Sequence, residues 1–122
     1  VIAALYLIDY NKFMESSQIQ VEIYETEQGK QPYVDWFNGV RDTKAQARLS
    51  TRITRLRQGN FGDSKPIGEG VIELRVDYGP GYRIYLGRDG DKLVILLSGS
   101  DKSDQKAAVK QAKEYWQDYR RR

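Results

Sequence analysis

An α+β domain, built on a small antiparallel-rich sheet with two helices ahead of it and one behind, is the fold class that the 122-residue sequence predicts. Three observations carry that prediction. Residues 43–58 place Ala45, Leu49, Ile53 and Leu56 at helical spacing. Residues 72–97 alternate apolar and polar side chains around the turn signals Gly79-Pro80-Gly81 and Asp89-Gly90. Ala108, Ala112, Tyr115, Trp116 and Tyr119 then return to the helical period. Helices flanking a run of strands are expected on the hydrophobic face of the sheet.

The first strand is expected where Ile19, Val21 and Ile23 alternate with Gln20, Glu22 and Tyr24. Pro32 suits an early helical position, and Tyr33, Trp36, Phe37 and Val40 follow as one apolar stripe. Gly59 should end the second helix. Asn60 to Gly70 reads as a loop because Gly, Pro, Asp and Ser dominate it. Asp89-Gly90 tolerates the positive φ angles of a type I′ turn, and a two-residue loop there pairs Leu86 with Leu93 and Ile84 with Ile95. At the first hairpin, face matching favours a three-residue Gly79-Pro80-Gly81 loop that pairs Val76 with Ile84, Leu74 with Leu86 and Arg75 with Tyr85. Ile72, Leu74, Val76, Ile84, Leu86, Leu93, Ile95 and Leu97 then share one face; Glu73, Arg75, Asp77, Arg83 and Tyr85 share the other. Ser103 or Asp101 is the expected N-cap of the last helix.

Residues 18–122 read as a single domain without repeats or linkers. Residues 1–17 have uncertain status. The segment VIAALYLIDYNKF precedes the only methionine, Met14. Its apolar run falls short of the roughly 20 residues that span a bilayer, and no basic region or small-residue cleavage site marks a signal peptide. Residues 1–13 are expected to be an upstream extension, with an extra packed strand or helix as the competing idea.

Composition narrows the chemistry. Cysteine is absent, which excludes disulfides and thiolate zinc sites and agrees with a reducing cytoplasm. Histidine is absent as well, removing the usual acid–base group at neutral pH and the commonest metal ligand. Catalysis would fall to Lys, Arg, Tyr, Asp, Glu or a hydroxyl, and no metal or other cofactor is expected. Residues 41–60 concentrate Arg41, Lys44, Arg48, Arg52, Arg55 and Arg57 against Asp42 alone. Lys44, Arg48, Arg52 and Arg55 form one basic helical stripe, which fits either solvation or contact with nucleic acid or an acidic protein.

The polar face of the meander is the second focus. Arg75 and Arg83 bring guanidiniums whose planes match phosphate oxygens. Tyr85 beside them could stack on a base or carry a proton, with Tyr82 as the alternate. Lys65, from the loop before the meander, and Lys102, after its last strand, stand at the edges. Cutting RNA without a metal needs a base for the 2′-hydroxyl, cations on the phosphorane and an acid for the leaving oxygen, and these side chains can supply all three. The same pattern also fits a solvated strand face on which Asp77 opposes Arg83 as an ordinary cross-strand pair.

The runs KPIGEGVIELRVDYGPGYRIYL and LVILLSGSDKSDQKAAVKQAKEYW resemble the RelE/HigB-like toxins of type II toxin–antitoxin systems, in particular the phage-associated branch of addiction-module killer proteins. The likeness extends over roughly Gln20 to Tyr119. ELR, the GPGYR turn-strand and the Gly-Ser-Asp-Lys-Ser-x-Gln entry to the last helix are its most specific pieces. The resemblance implies two N-terminal helices against a curved antiparallel sheet. It also implies a ribosome-dependent, metal-independent mRNA endonuclease, neutralised by a cognate antitoxin of helix-turn-helix type. By position, Arg75 and Arg83 match the family's sheet arginines, and Lys65 and Lys102 match basic positions flanking the meander. Related proteins that inhibit DNA gyrase without cutting RNA, and inactive remnants that only bind an antitoxin, are the alternatives.

Overall fold

A computed structural model arranges residues 18–122 as five strands and three helices. The expected N-terminal extension, and the rival strand or helix there, lie outside the described residues.

Strand β1 (Gln20–Ile23) runs parallel to β5 (Leu93–Asp101) at one edge of the sheet. Its alternation sends Ile19 and Val21 into the core. Helix α1 (Pro32–Gly39) starts on its proline, and its stripe of Tyr33, Trp36 and Phe37 packs on the sheet together with Val40 just beyond its end. Helix α2 (Thr43–Arg57) buries Ala45, Leu49, Ile53 and Leu56 at the expected spacing. Both of its ends are satisfied locally. The Asp42 carboxylate accepts from the backbone N–H of Lys44 at 2.9 Å and of Ala45 at 3.3 Å. At the other end Gly59, with φ of 86°, donates to Leu56 O, and Asn60 donates to Arg55 O, both at 2.9 Å.

The two helices carry the chain across one face of the sheet to its far edge. There the segment expected to be a loop forms strand β2 (Ser64–Gly68). Pro66 disguised it in the sequence, and an edge strand tolerates proline because one row of its N–H groups needs no ladder partner. The chain then walks back through β3 (Val71–Val76) and β4 (Tyr82–Asp89) to β5, giving the order β1-β5-β4-β3-β2.

Both expected hairpin registers are corrected. Five residues, not three, connect β3 to β4, so Val76 pairs with Tyr82, Leu74 with Ile84 and Arg75 with Arg83. Tyr82 is the reason: its ring is buried against Trp36, so the apolar face extends one pair nearer the turn than aliphatic residues alone suggest. Asp77 therefore lies in the turn, exposed, and does not oppose Arg83. In the second hairpin Asp89 pairs with Leu93 and Leu86 with Leu96. An odd shift exchanges faces, so Val94 and Leu96 join the α1/α2 core while Leu93, Ile95 and Leu97 face the other way. Face matching could not detect this, because residues 93–97 are apolar on both sides. A bulge follows, since Tyr85 pairs with Ser98.

Helix α3 (Gln105–Arg121) covers the face opposite α1 and α2, not the expected shared hydrophobic face. Ala108, Ala112, Trp116 and Tyr119 pack there against Val71, Tyr85, Ile95 and Leu97. Neither Ser103 nor Asp101 is its N-cap; that residue is Asp104, whose side chain makes no capping bond. The Asp101 carboxylate instead ties the preceding turn, accepting from Ser103 Oγ at 2.6 Å and Asp104 N at 3.1 Å. Among the described residues, no helix is long and apolar enough to cross a membrane.

Candidate functional site

Adjacent strands set the geometry. Arg75 on β3 and Arg83 on β4 are direct cross-strand partners, which puts two like charges side by side on one face. Such a pair is unfavourable without an intervening anion. Glu73, one pleat along β3, supplies it. Its Oε1 lies 3.4 Å from Arg75 Nε and 3.5 Å from Arg83 Nε. Its Oε2 accepts from Gln105 Nε2, in the first turn of α3, at 2.8 Å. The Glu73 side chain is fully buried, while Arg75 keeps 35% and Arg83 12% of its side chain exposed. A carboxylate that deep is stable only because cations and a donor surround it.

The two guanidiniums stand side by side, as their shared strand face predicts, but they meet at a buried carboxylate and not in the solvent-open hollow that a phosphate site calls for. Glu73 accepts a hydrogen bond from Arg75 Nε, whereas buried Arg83 Nε lies within ion-pair distance of it without a hydrogen bond. Among the described residues, the terminal nitrogens of Arg75 have no protein partner, and Arg83 spends Nη1 on the carbonyl of Tyr82 at 3.1 Å. The remaining guanidinium nitrogens are the donors that an anion could engage.

The two lysines flank this cluster. Lys65 is the direct partner of Glu73 across β2 and β3. It shares with Glu73, Gln105 and Lys106 the wall of an open cavity of about 340 Å³. Lys102 follows β5 and donates its backbone N–H to Gly81 O at 3.0 Å. A Cβ built on Gly81 would lie 3.6 Å from Lys102 Cβ and 3.8 Å from Arg83 Nη1, so Lys102 and Arg83 border the same glycine. Lys65, Arg75, Arg83 and Lys102 are therefore brought to one end of the polar face.

Tyr85 does not join them as an exposed group. It is fully buried beneath α3, its hydroxyl pairs with Ser100 Oγ at 3.0 Å, and burial pushes its pKa up. A base cannot stack on it in this arrangement. Tyr82 is no substitute on that face. Its side chain is buried on the opposite side with Trp36, ring centroids 6.3 Å apart, and burial raises its pKa too, helped by Asp42 and Asp101.

The basic stripe of α2 is also broken. Arg52 turns inward and donates to three carbonyls, those of Arg75, Phe61 and Asp63. Burial lowers its pKa, with Asp63 opposing the effect. It fastens the start of the β2–β3 hairpin to the helix and is not available to a docking partner. Arg48 stacks over the Tyr78 ring at 4.5 Å and is exposed, as are Lys44 and Arg55.

Sequence reasoning missed Glu73 as the centre of the cluster and Gln105 as its support. A signal for Glu73 was present: two arginines expected close together on one face, with a glutamate on the same side of a strand, call for a shared ion pair. Gln105 gave none, because its reach to Glu73 depends on how α3 lies across the sheet.

No protein-family model matches the chain. Over 78 residues it is 49% identical to a Haemophilus influenzae protein named "Uncharacterized protein", an alignment covering 64% of this chain and 79% of that one. That name brings no activity with it, but the identity and coverage show common descent: the chain belongs to one family with this Haemophilus influenzae protein.

Proposed function

We propose that the protein is the toxin of a type II toxin–antitoxin system, a RelE/HigB-like endoribonuclease that cuts mRNA on the ribosome without a metal. The observation that carries this reading is that Arg75 and Arg83 stand side by side with guanidinium nitrogens left without a protein partner among the described residues, and with Lys65 and Lys102 beside them. The RNA 2′-oxygen attacks the adjacent phosphorus as its proton passes to a base. The P–O5′ bond breaks, leaving a 2′,3′-cyclic phosphate, and the departing 5′-oxygen takes a proton from an acid. Arg75 and Arg83 hold the charge that develops on the phosphorane, and a fixed cation pair does so without reorganising. Glu73 orients Arg75 by a hydrogen bond and attracts Arg83 by charge, while the Tyr82 carbonyl accepts from Arg83 Nη1. Lys65 and Lys102 take the proton-transfer roles, one on each flank. Exposed Lys44 and Arg55 of α2 serve ribosomal RNA docking, and a helix-turn-helix antitoxin is the partner in the cell.

Programmed ribosomes test this. Codon-positioned cleavage by the wild type, reduced at least 100-fold by Arg83→Ala in a variant that keeps its folded circular dichroism spectrum, is the expected result. Undiminished cutting by that variant removes Arg83 from the mechanism, and no cutting by the wild type defeats the nuclease reading.

The complete burial of Glu73 favours a second reading, in which the arginine cluster is a structural clasp and the toxin acts by binding. Inhibition of DNA gyrase supercoiling with mRNA left intact is the result that selects it.

A further inference from the structure

On helix α3, Lys106, Lys110 and Lys113 recur at i, i+4 and i+7; Glu114 follows Lys110 by four residues and adjoins it, and Asp118 lies further round, away from Lys106 and Lys113. The lysine flank faces β2. Lys106 lines the cavity of about 340 Å³ together with Lys65, Ile67, Glu73, Gln105 and Val109. Further along, Lys113 reaches β2 itself: a Cβ built on Gly68 would sit 3.4 Å from Lys113 Nζ. At about 1.5 Å of rise per residue, Lys106 and Lys113 stand roughly 10 Å apart along the helix axis. None of the ion pairs among the described residues includes a lysine, although Lys65 lies across from Glu73 and Lys110 is four residues from Glu114. The stripe on α2 is also outside these ion pairs, but there Arg52 is spent on carbonyls and Arg48 lies over an aromatic ring.

The groove so formed leads to Glu73 and hence to the guanidiniums of Arg75 and Arg83. It is walled by cations on α3 and by Lys65 on β2. We propose that this α3–β2 groove carries the sugar–phosphate backbone of single-stranded RNA toward the arginine pair, with Lys65, Lys106 and Lys113 as its phosphate contacts. The inference rests on the reading of the arginine pair as an RNA phosphate site. An acidic protein would also be drawn to the lysines, but continuity with the paired guanidiniums favours a chain of phosphates. Exposed Glu69, at the turn just past Gly68, marks the end of the track.

The test is binding of a short fluorescent oligoribonucleotide to the full chain over a range of salt concentrations. Neutralised phosphates appear in the slope of log affinity against log salt, about 0.7 for each contact to a single strand. Lys106→Glu with Lys113→Glu should weaken binding at low salt about 10-fold or more and flatten the slope by more than one contact. Lys30→Glu with Lys92→Glu makes the same change in net charge on loops outside the groove and should leave both within about 2-fold. Circular dichroism and thermal melting establish that each variant is folded. Equal losses in both double variants, or an unchanged slope in the Lys106/Lys113 variant, overturn the groove. If RNA binding survives in that variant but disappears in Arg75→Ala with Arg83→Ala, the groove is wrong while the arginine site stands. A wild-type chain that binds no RNA overturns both.

Discussion

The two faces of the sheet are covered by different means. On one, α1 and α2 lay an unbroken apolar surface over Leu74, Ile84, Leu86, Val94 and Leu96. On the other, α3 covers only part of the sheet with apolar side chains, and the remainder holds Glu73, Arg75 and Arg83. Each face nevertheless uses the same packing device. Trp36 of α1 sits over Gly99, and Trp116 of α3 sits over Gly87. The contrast locates the part of the sheet where function can reside. An apolar face gains from every added contact, whereas the charged end of the other face holds a buried carboxylate and partly exposed cations, which packing alone would not select.

The comparison breaks most sharply at Glu73. Glu73→Ala leaves two facing guanidiniums without their anion and should cost about 3 kcal/mol, read from the urea midpoint. Replacing the whole cluster, with Glu73→Leu, Arg75→Met and Arg83→Met, should keep stability within about 1 kcal/mol of the wild type or raise it. A triple variant as unstable as Glu73→Ala would show that the cluster is needed for the fold itself.

The shared device is tested next. A Cβ at Gly99 would lie 2.1 Å from Trp36, and one at Gly87 would lie 2.2 Å from Trp116. Gly99→Ala and Gly87→Ala should each cost about 1–3 kcal/mol through overpacking. Combining Gly99→Ala with Trp36→Ala should cost less than the two singles summed, because the second change removes the clash. Additive losses would mean that the tryptophan does not occupy the socket.

Smaller effects separate the buried tyrosines. Tyr85→Phe leaves buried Ser100 without its hydroxyl partner and should cost about 1 kcal/mol at neutral pH. Tyr33 is buried on the α1/α2 face, and Tyr33→Phe should change stability less. Burial pushes the Tyr33 phenol up to about 12 and raises that of Tyr85. Both folded values exceed the ordinary value near 10, so the stability of the neutral phenols is full below about pH 10 and is lost as pH rises through the folded values. Urea midpoints should therefore fall above about pH 10, and less steeply in either Phe variant; tyrosinate absorbance tracks the titration.

Much of the fold was legible in the chain itself. The α2 helix, with Asp42, Gly59 and four buried apolar residues, follows from local signals that do not depend on the rest of the molecule. Arg75 and Arg83 could be assigned to one face because alternation along a strand is a local property. Registers were less accessible. Residues 93–97 satisfy either face, and Tyr82 is amphipathic, so the hydrophobic pattern allowed more than one pairing. The site is affected for the same reason: alternation puts Tyr85 on the polar face but carries no information on the helix that covers it.

Sequence alone determined the helices, the meander, the absence of histidine and cysteine chemistry, and the two arginines that share a strand face. Tertiary structure decided that Glu73 lies buried between them, that Tyr85 and Arg52 turn inward, and that α3 lines a groove with lysines. The physical reason is range. Periodicity and capping act within a few residues, but the burial of a charge depends on which distant element arrives to cover it.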